Sequence, residues 1–178
     1  PEAVLPLVEA LHSEEWMIQQ NAAIALERIG DIRALGGLVA LEAHATNESV
    51  KAAAASAVAS LMAKGGAEAS EGEEAATAMT PAQSYLMLSK WYYSRDPRVM
   101  KNYLGAYTVW NWTDGALVSR EVPPYLYHLE LAEEATYDAL MEEPGNEVAR
   151  AVLTSIHYAQ MGALGSLGAD AMEDEAVQ

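Results

Sequence analysis

Two short amphipathic segments recur along the first third of the chain, and this recurrence limits the fold more than any other feature. Val4-Leu5-Pro6-Leu7-Val8-Glu9-Ala10-Leu11 is followed by Ile18-Gln19-Gln20-Asn21-Ala22-Ala23-Ile24-Ala25-Leu26-Glu27-Arg28-Ile29 and a Gly30-Asp31 turn. A looser copy comes directly after: Ala34 to Leu41, then Val50 to Leu61. Leu5 to Leu35 is a step of 30 residues and Ile18 to Val50 a step of 32. One such unit cannot bury its apolar face alone, so units must stack, and the fold must be an open array of helix pairs.

A β-branched residue opens the second helix of each unit, and four such openings can be read: Ile18, Val50, Val99 and Val148. They are 32, 49 and 49 residues apart, so the later units are longer. Asn47, Asp96 and Asn146 stand as N-cap candidates before three of them, with Ser13 before the fourth, and Pro97 suits a first helical position. From each opening the expected buried face runs on at helical spacing: Ala22 and Leu26, Ala54 and Val58, Tyr103 and Tyr107, Val152 and Ile156. Thr80-Pro81 opens another helix through Tyr93. Pro123-Pro124 leads into one through about Met141, ended by Pro144-Gly145, and the last helix is expected from about Glu147 to Leu164.

The residues of the first unit resemble a HEAT repeat: Leu5-Pro6 with Val8 and Leu11 on one helix, then Ile18, Ala22-Ala23, Ala25-Leu26 and Ile29-Gly30-Asp31 on the next. More narrowly they are similar to the short bacterial repeats first noted in phycobilisome lyases. The resemblance is strongest over residues 3–31, continues to 62, and survives beyond 80 only as a trace. It implies an all-α fold, an α-solenoid of about four HEAT-like helix pairs with two long inter-helix connections. The expected organisation is two repeats over 1–62, an acidic Gly/Glu-rich linker over 63–80, two longer helix pairs over 81–168 and an acidic tail over 169–178. Such repeats serve scaffolds, adaptors and a few enzymes, so the fold alone does not name an activity.

Charge narrows the partners. The 178 residues carry a formal charge of −16, which argues against nucleic acid, where affinity begins with phosphate neutralisation. That removes a DNA-contacting HEAT protein of the alkylation-repair type. No apolar run reaches the length that spans a bilayer, so membrane insertion is not expected. With no cysteine, disulfides, thiolate metal sites and a Cys nucleophile are excluded. The first residue is Pro1, and the expectation is a processed product or a fragment, in either a cytoplasmic or a periplasmic setting.

Residues 81–122 alone lack an acidic excess, with a net charge of +2, and hold eight of the thirteen aromatics. Trp, Tyr and Arg dominate interface hot spots. Trp91, Tyr92 and Tyr93 are consecutive and cannot all face inward from a helix. On a helix Trp110 and Trp112 would lie about 200° apart. Trp91, Tyr92, Tyr93, Arg95, Trp110 and Trp112 are therefore the candidate partner-binding residues, although any one ring also reads as core filler. The concave face around Gln19, Gln20 and Lys51 is the alternative surface.

Other constellations read as structural. His12, His44, His128 and His157 lack metal-ligand spacing, and no metal or cofactor is expected. Glu130, Glu133, Glu134 and Asp138 form an acidic stripe that reads as a solvated helix face. Gly162, Gly165 and Gly168 read as close helix approach or fraying, and no phosphate loop or nucleophile elbow occurs. The expected function is a non-catalytic protein–protein interaction or scaffolding module within a larger assembly. The alternative is an accessory subunit of a chromophore-lyase-like enzyme holding a flat ligand in an aromatic groove near Trp91 and Trp110. The Gly- and Glu-rich chemistry of residues 65–79 predicts the most protease-sensitive internal segment. Limited proteolysis with mass mapping should find the first internal cuts there in the isolated protein.

Overall fold

Caps, glycines and apolar stripes set the helices of the first half. The computed structural model describes residues 2–65, 79–102 and 105–165. Within them α1 (Val4–Glu9), α2 (Trp16–Ile29), α3 (Leu35–His44) and α4 (Glu48–Gly65) form the first two pairs. Gly30 ends α2 in the left-handed region, at φ 69°, with its N–H donating to the Leu26 carbonyl, a geometry that spares glycine the Cβ penalty. Asn47 caps α4, its Oδ1 accepting from the Ser49 and Val50 N–H groups at 2.9 and 3.4 Å. Ser13 instead accepts from the Glu15 N–H before α2 begins and makes no helix cap. Leu26, Leu35, Leu38, Val50 and Leu61 pack between the helices, and α3 is buried nearly all round.

The third pair departs from expectation. α5 (Pro81–Tyr93) starts with a capping box in which Thr80 and Gln83 exchange hydrogen bonds, with Pro81 in the first turn. Asp96-Pro97-Arg98-Val99, expected to open a second helix, forms only one turn, in which the Val99 and Met100 N–H groups donate to the Asp96 carbonyl. After it come two antiparallel strands, β1 (Thr108–Thr113) and β2 (Ala116–Glu121), joined by Asp114-Gly115. Both turn residues have positive φ, 52° and 78°, which a two-residue hairpin turn of this kind requires. β-Branched and aromatic residues fill β1 and favour the pleated form. An all-α solenoid of four pairs is therefore not what the chain builds: the second helix of the third unit is replaced by a hairpin. Tyr103 lies outside the described residues. Tyr107 precedes β1, and its ring meets Tyr127 edge to face at 5.4 Å.

α6 (Tyr127–Glu142) packs closely on α5, and α7 (Glu147–Gly165) packs on α6. Small residues permit the α5–α6 approach. Ser89 and Thr136 hydroxyls meet at 2.6 Å with both side chains fully buried, and Thr136 also donates to the Ala132 carbonyl. Asn146 caps α7 by accepting from the Ala149 N–H. The inward stripe of α7 is Ala149 and Ile156 with the partly buried Val152, and Val148, expected to open it, is 53% exposed. Among the expected boundaries, α4 runs through Gly65, past the supposed linker start at 63. The rest of that linker, apart from 79 and 80, and the supposed tail lie outside the described residues.

The middle of the array depends on a close approach. A Cβ at Gly36 would lie 2.6 Å from Cδ1 of Tyr85, a ring atom that cannot rotate away cheaply. Gly36→Ala should lower unfolding free energy by about 1–3 kcal/mol, the usual cost of overpacking. Urea denaturation followed by circular dichroism measures it.

Candidate functional site

The sequence-chosen residues do not share one surface. The three consecutive rings diverge, as helix geometry demands. Tyr92 turns inward and is 4% exposed, in a cluster with Val99, Val109 and Tyr127; it belongs to the core and is corrected as a partner contact. Trp91 is half-buried under the Arg98 guanidinium, 4.2 Å from its ring centroid. Tyr93 is 40% exposed, and Arg95 is exposed in the turn after α5, at φ 56°. Trp110 and Trp112 stand in β1 and are both half-buried. Residues two apart on a strand project to the same side, so the helical argument that separated them fails.

What the structure assembles instead is an acidic cavity between α1, α3, α5, β1 and α6. Glu9, Glu134 and Asp138 line it with Tyr85, Tyr92 and Trp110. Its volume is about 50 Å³. A second cavity of about 200 Å³ adjoins it, sharing Gly37, Tyr85 and Asp138 and adding His12, His44 and Glu142. The acidic stripe is thus no solvated face. Glu130 is tied to Arg120 at 2.7 Å, and Glu133 accepts from Gln160 at 2.6 Å and meets His157 at 3.1 Å. Glu134 and Asp138 turn into the cavity. The signal was present in the spacing: Leu131, Glu134, Ala135 and Asp138 keep the three-and-four rhythm of a buried stripe, so two carboxylates occupy core-facing positions.

Hydrogen bonds position the acids. Glu9 Oε2 accepts from the backbone N–H of Trp112 at 3.0 Å, and Glu134 Oε1 accepts from the Asn111 amide at 2.7 Å. Arg33 also lines the cavity, but Asp31 holds it through two guanidinium hydrogen bonds of 3.0 Å each. Burial, then the charges of Glu9 and Asp138, push the Glu134 carboxyl up to about 8, against the Asn111 hydrogen bond and Arg120. Burial pushes Asp138 up to about 6, opposed by His12 and assisted by Glu9 and Glu142. The hydrogen bond to Glu9 raises His12. The cavity therefore favours the protonated form of Glu134. Among the described residues no group of three or more His, Cys, Asp or Glu is placed to hold a metal ion.

A family model for HEAT repeats matches residues 1–59, the stretch that forms α1 to α4. No curated protein and no solved structure matches the chain. The match supports HEAT repeats in the first third. Among the described residues, no helix is long and apolar enough to cross a membrane.

A raised carboxyl pKa favours the folded state while the group is protonated in both states. That contribution is complete below the unfolded value near 4.5 and is lost as pH rises through about 8. Stability should therefore increase as pH falls from 8.5 to 5. Glu134→Gln, which keeps an acceptor for Asn111, should raise stability at pH 8.5 by about 2 kcal/mol, below the full linkage value because part of the group meets solvent. The difference from the parent protein should close near pH 5, as read from urea midpoints across the pH range.

Proposed function

We propose that the protein is a non-catalytic protein–protein interaction or scaffolding module that acts as a segment of a larger assembly. The observation that carries this reading is the HEAT-repeat match over residues 1–59, because HEAT repeats generally mediate protein interactions and present extended stacked surfaces. The narrower likeness to phycobilisome-lyase repeats rests on the motif of residues 3–31. A flat chromophore needs a site of about 300–1,000 Å³, whereas the cavities here measure about 50 and 200 Å³, so the chromophore-lyase alternative gains no support from them.

Partner contact is proposed at the solvent-facing remainder of the aromatic stretch, Tyr93 and Arg95 with the Trp91–Arg98 stack beside them, and at the β1 rings Trp110 and Trp112. Tyr92 serves the core. In cross-linking and co-purification of the protein from its source, Tyr93→Ala and Arg95→Ala should each reduce partner retention while leaving the melting temperature within about 2 °C. Tyr92→Ala should instead cost about 3–5 kcal/mol of folding stability. If Tyr93→Ala and Arg95→Ala leave partner retention unchanged, the contact lies elsewhere, and the face around Gln19, Gln20 and Lys51 becomes the next surface to vary.

A further inference from the structure

The cavity walls divide by chemistry. Leu5, Val8, Leu88 and Leu131 give apolar sides, while Glu9, Glu134 and Asp138 bring three carboxyl groups from two elements to one space. Among the described residues, the single basic side chain lining it, Arg33, is engaged by Asp31. An independent feature also points to a ligand. Tyr85 is only 5% exposed and lines both cavities. Its hydroxyl lies beside Gly37, 3.9 Å from where a Cβ would stand, and it makes no hydrogen bond to a described residue. The hydroxyl thus borders the cavities with its oxygen open to a ligand donor.

We propose that this cavity captures the side chain of a lysine presented by a partner protein. The ammonium group lies among Glu9, Glu134 and Asp138 and donates to the Tyr85 hydroxyl, and the alkyl stem runs along the apolar walls under Trp110. The proposal rests on the interaction-module reading and deepens it. A lysine matches an apolar wall with a charged end, since its stem buries while its head carries three donors. A compact head suits a narrow space better than the planar fork of arginine. The indole of Trp110 adds a face that attracts cations. The chain's charge of −16 steers basic partners towards it.

The test uses the full chain and the peptide acetyl-Ala-Ala-Lys-Ala-Ala-amide, with norleucine and acetyl-lysine versions as controls. Binding is monitored by NMR at the Trp110 indole N–H and the Asn111 side-chain amide, the former assigned with Trp110→Phe. The lysine peptide should shift both signals and the two controls should not. Glu134→Gln/Asp138→Asn should weaken binding at least tenfold, and Tyr85→Phe, which keeps the ring, about threefold or more. The variant Glu14→Gln/Glu15→Gln, on exposed residues and removing at least as much negative charge, should stay within twofold, with folding of every variant checked by circular dichroism. Equal weakening in both double variants would show diffuse attraction and overturn the site. Equal binding of the norleucine peptide would overturn cation recognition, and butylamine binding as tightly as the peptide would overturn the protein partner. Should Glu134→Gln/Asp138→Asn retain the parent's protein partner in co-purification, the cavity assignment fails while the interaction-module reading stands. Loss of that module reading would instead show as no partner retained by the parent chain itself.

Discussion

The buried pair Asp31–Arg33 joins the repeat array to the later elements of the chain. Asp31 closes the turn after α2, accepting from the Arg33 backbone N–H at 3.1 Å and from its guanidinium on both carboxylate oxygens. Arg33 also donates to the Lys101 carbonyl at 3.3 Å, 68 residues away in the chain. Both side chains are buried, so the pair is costly to desolvate and stabilises only because its geometry is bidentate and its remaining donors are met. Burial works against ionisation of Asp31, yet the hydrogen bonds and charge of Arg33 hold its carboxyl below the usual range. The pair fixes where the segment after α5 crosses the first repeat. It also takes the Arg33 guanidinium out of play at the acidic cavity.

Asp96 and Arg98 repeat the same local pattern, with the Arg98 N–H at 2.8 Å and the guanidinium at 3.1 and 2.9 Å from the carboxylate. There the pair is partly exposed and Arg98 lies over Trp91. The Asp-x-Arg turn is thus a local habit of the chain whose consequence depends on the residues beyond it. After Asp31-Ile32-Arg33 come Ala34, Leu35 and Leu38, which continue into an apolar helix. After Asp96-Pro97-Arg98 comes a single turn and then a strand. Burial, not the motif, decides whether the pair acts as a structural joint or as a surface contact worth little.

The repeats, their caps at Asn47 and Asn146, the capping box at Thr80 and the last two helices were legible because each has a strong local signal. The hairpin had one too, Asp114-Gly115 between two β-prone runs, but a helical reading of Tyr103, Tyr107 and Trp110 overrode it. A four-residue spacing over so few aromatics carries less information than a turn dipeptide that accepts positive φ at both residues. The site was harder to see. Glu134 and Asp138 sit at core spacing, yet charge normally marks a solvated face, and nothing local reveals that Glu9, more than 120 residues earlier, meets them. Long-range convergence of that kind depends on how α1 and α6 pack, which periodicity does not encode.

The hairpin supplies two of the donors that hold the acids of the cavity. In a helix the N–H of residue 112 would be spent on the carbonyl four residues earlier. In a two-stranded ladder with a two-residue turn, Thr113 and Ala116 close the loop, and the next pair, Trp112 and Leu117, lies at a position whose N–H groups point outward. That outward N–H is the one Glu9 accepts. The Asn111 side chain from the same strand supplies the hydrogen bond to Glu134. Replacing the second helix of the third pair by a hairpin therefore trades a self-satisfied element for one that offers donors to neighbouring acids. Without those donors, Glu9 and Glu134 would lose the hydrogen bonds that the strand supplies to them in the cavity. With them, each acid is held in one orientation at the cavity wall.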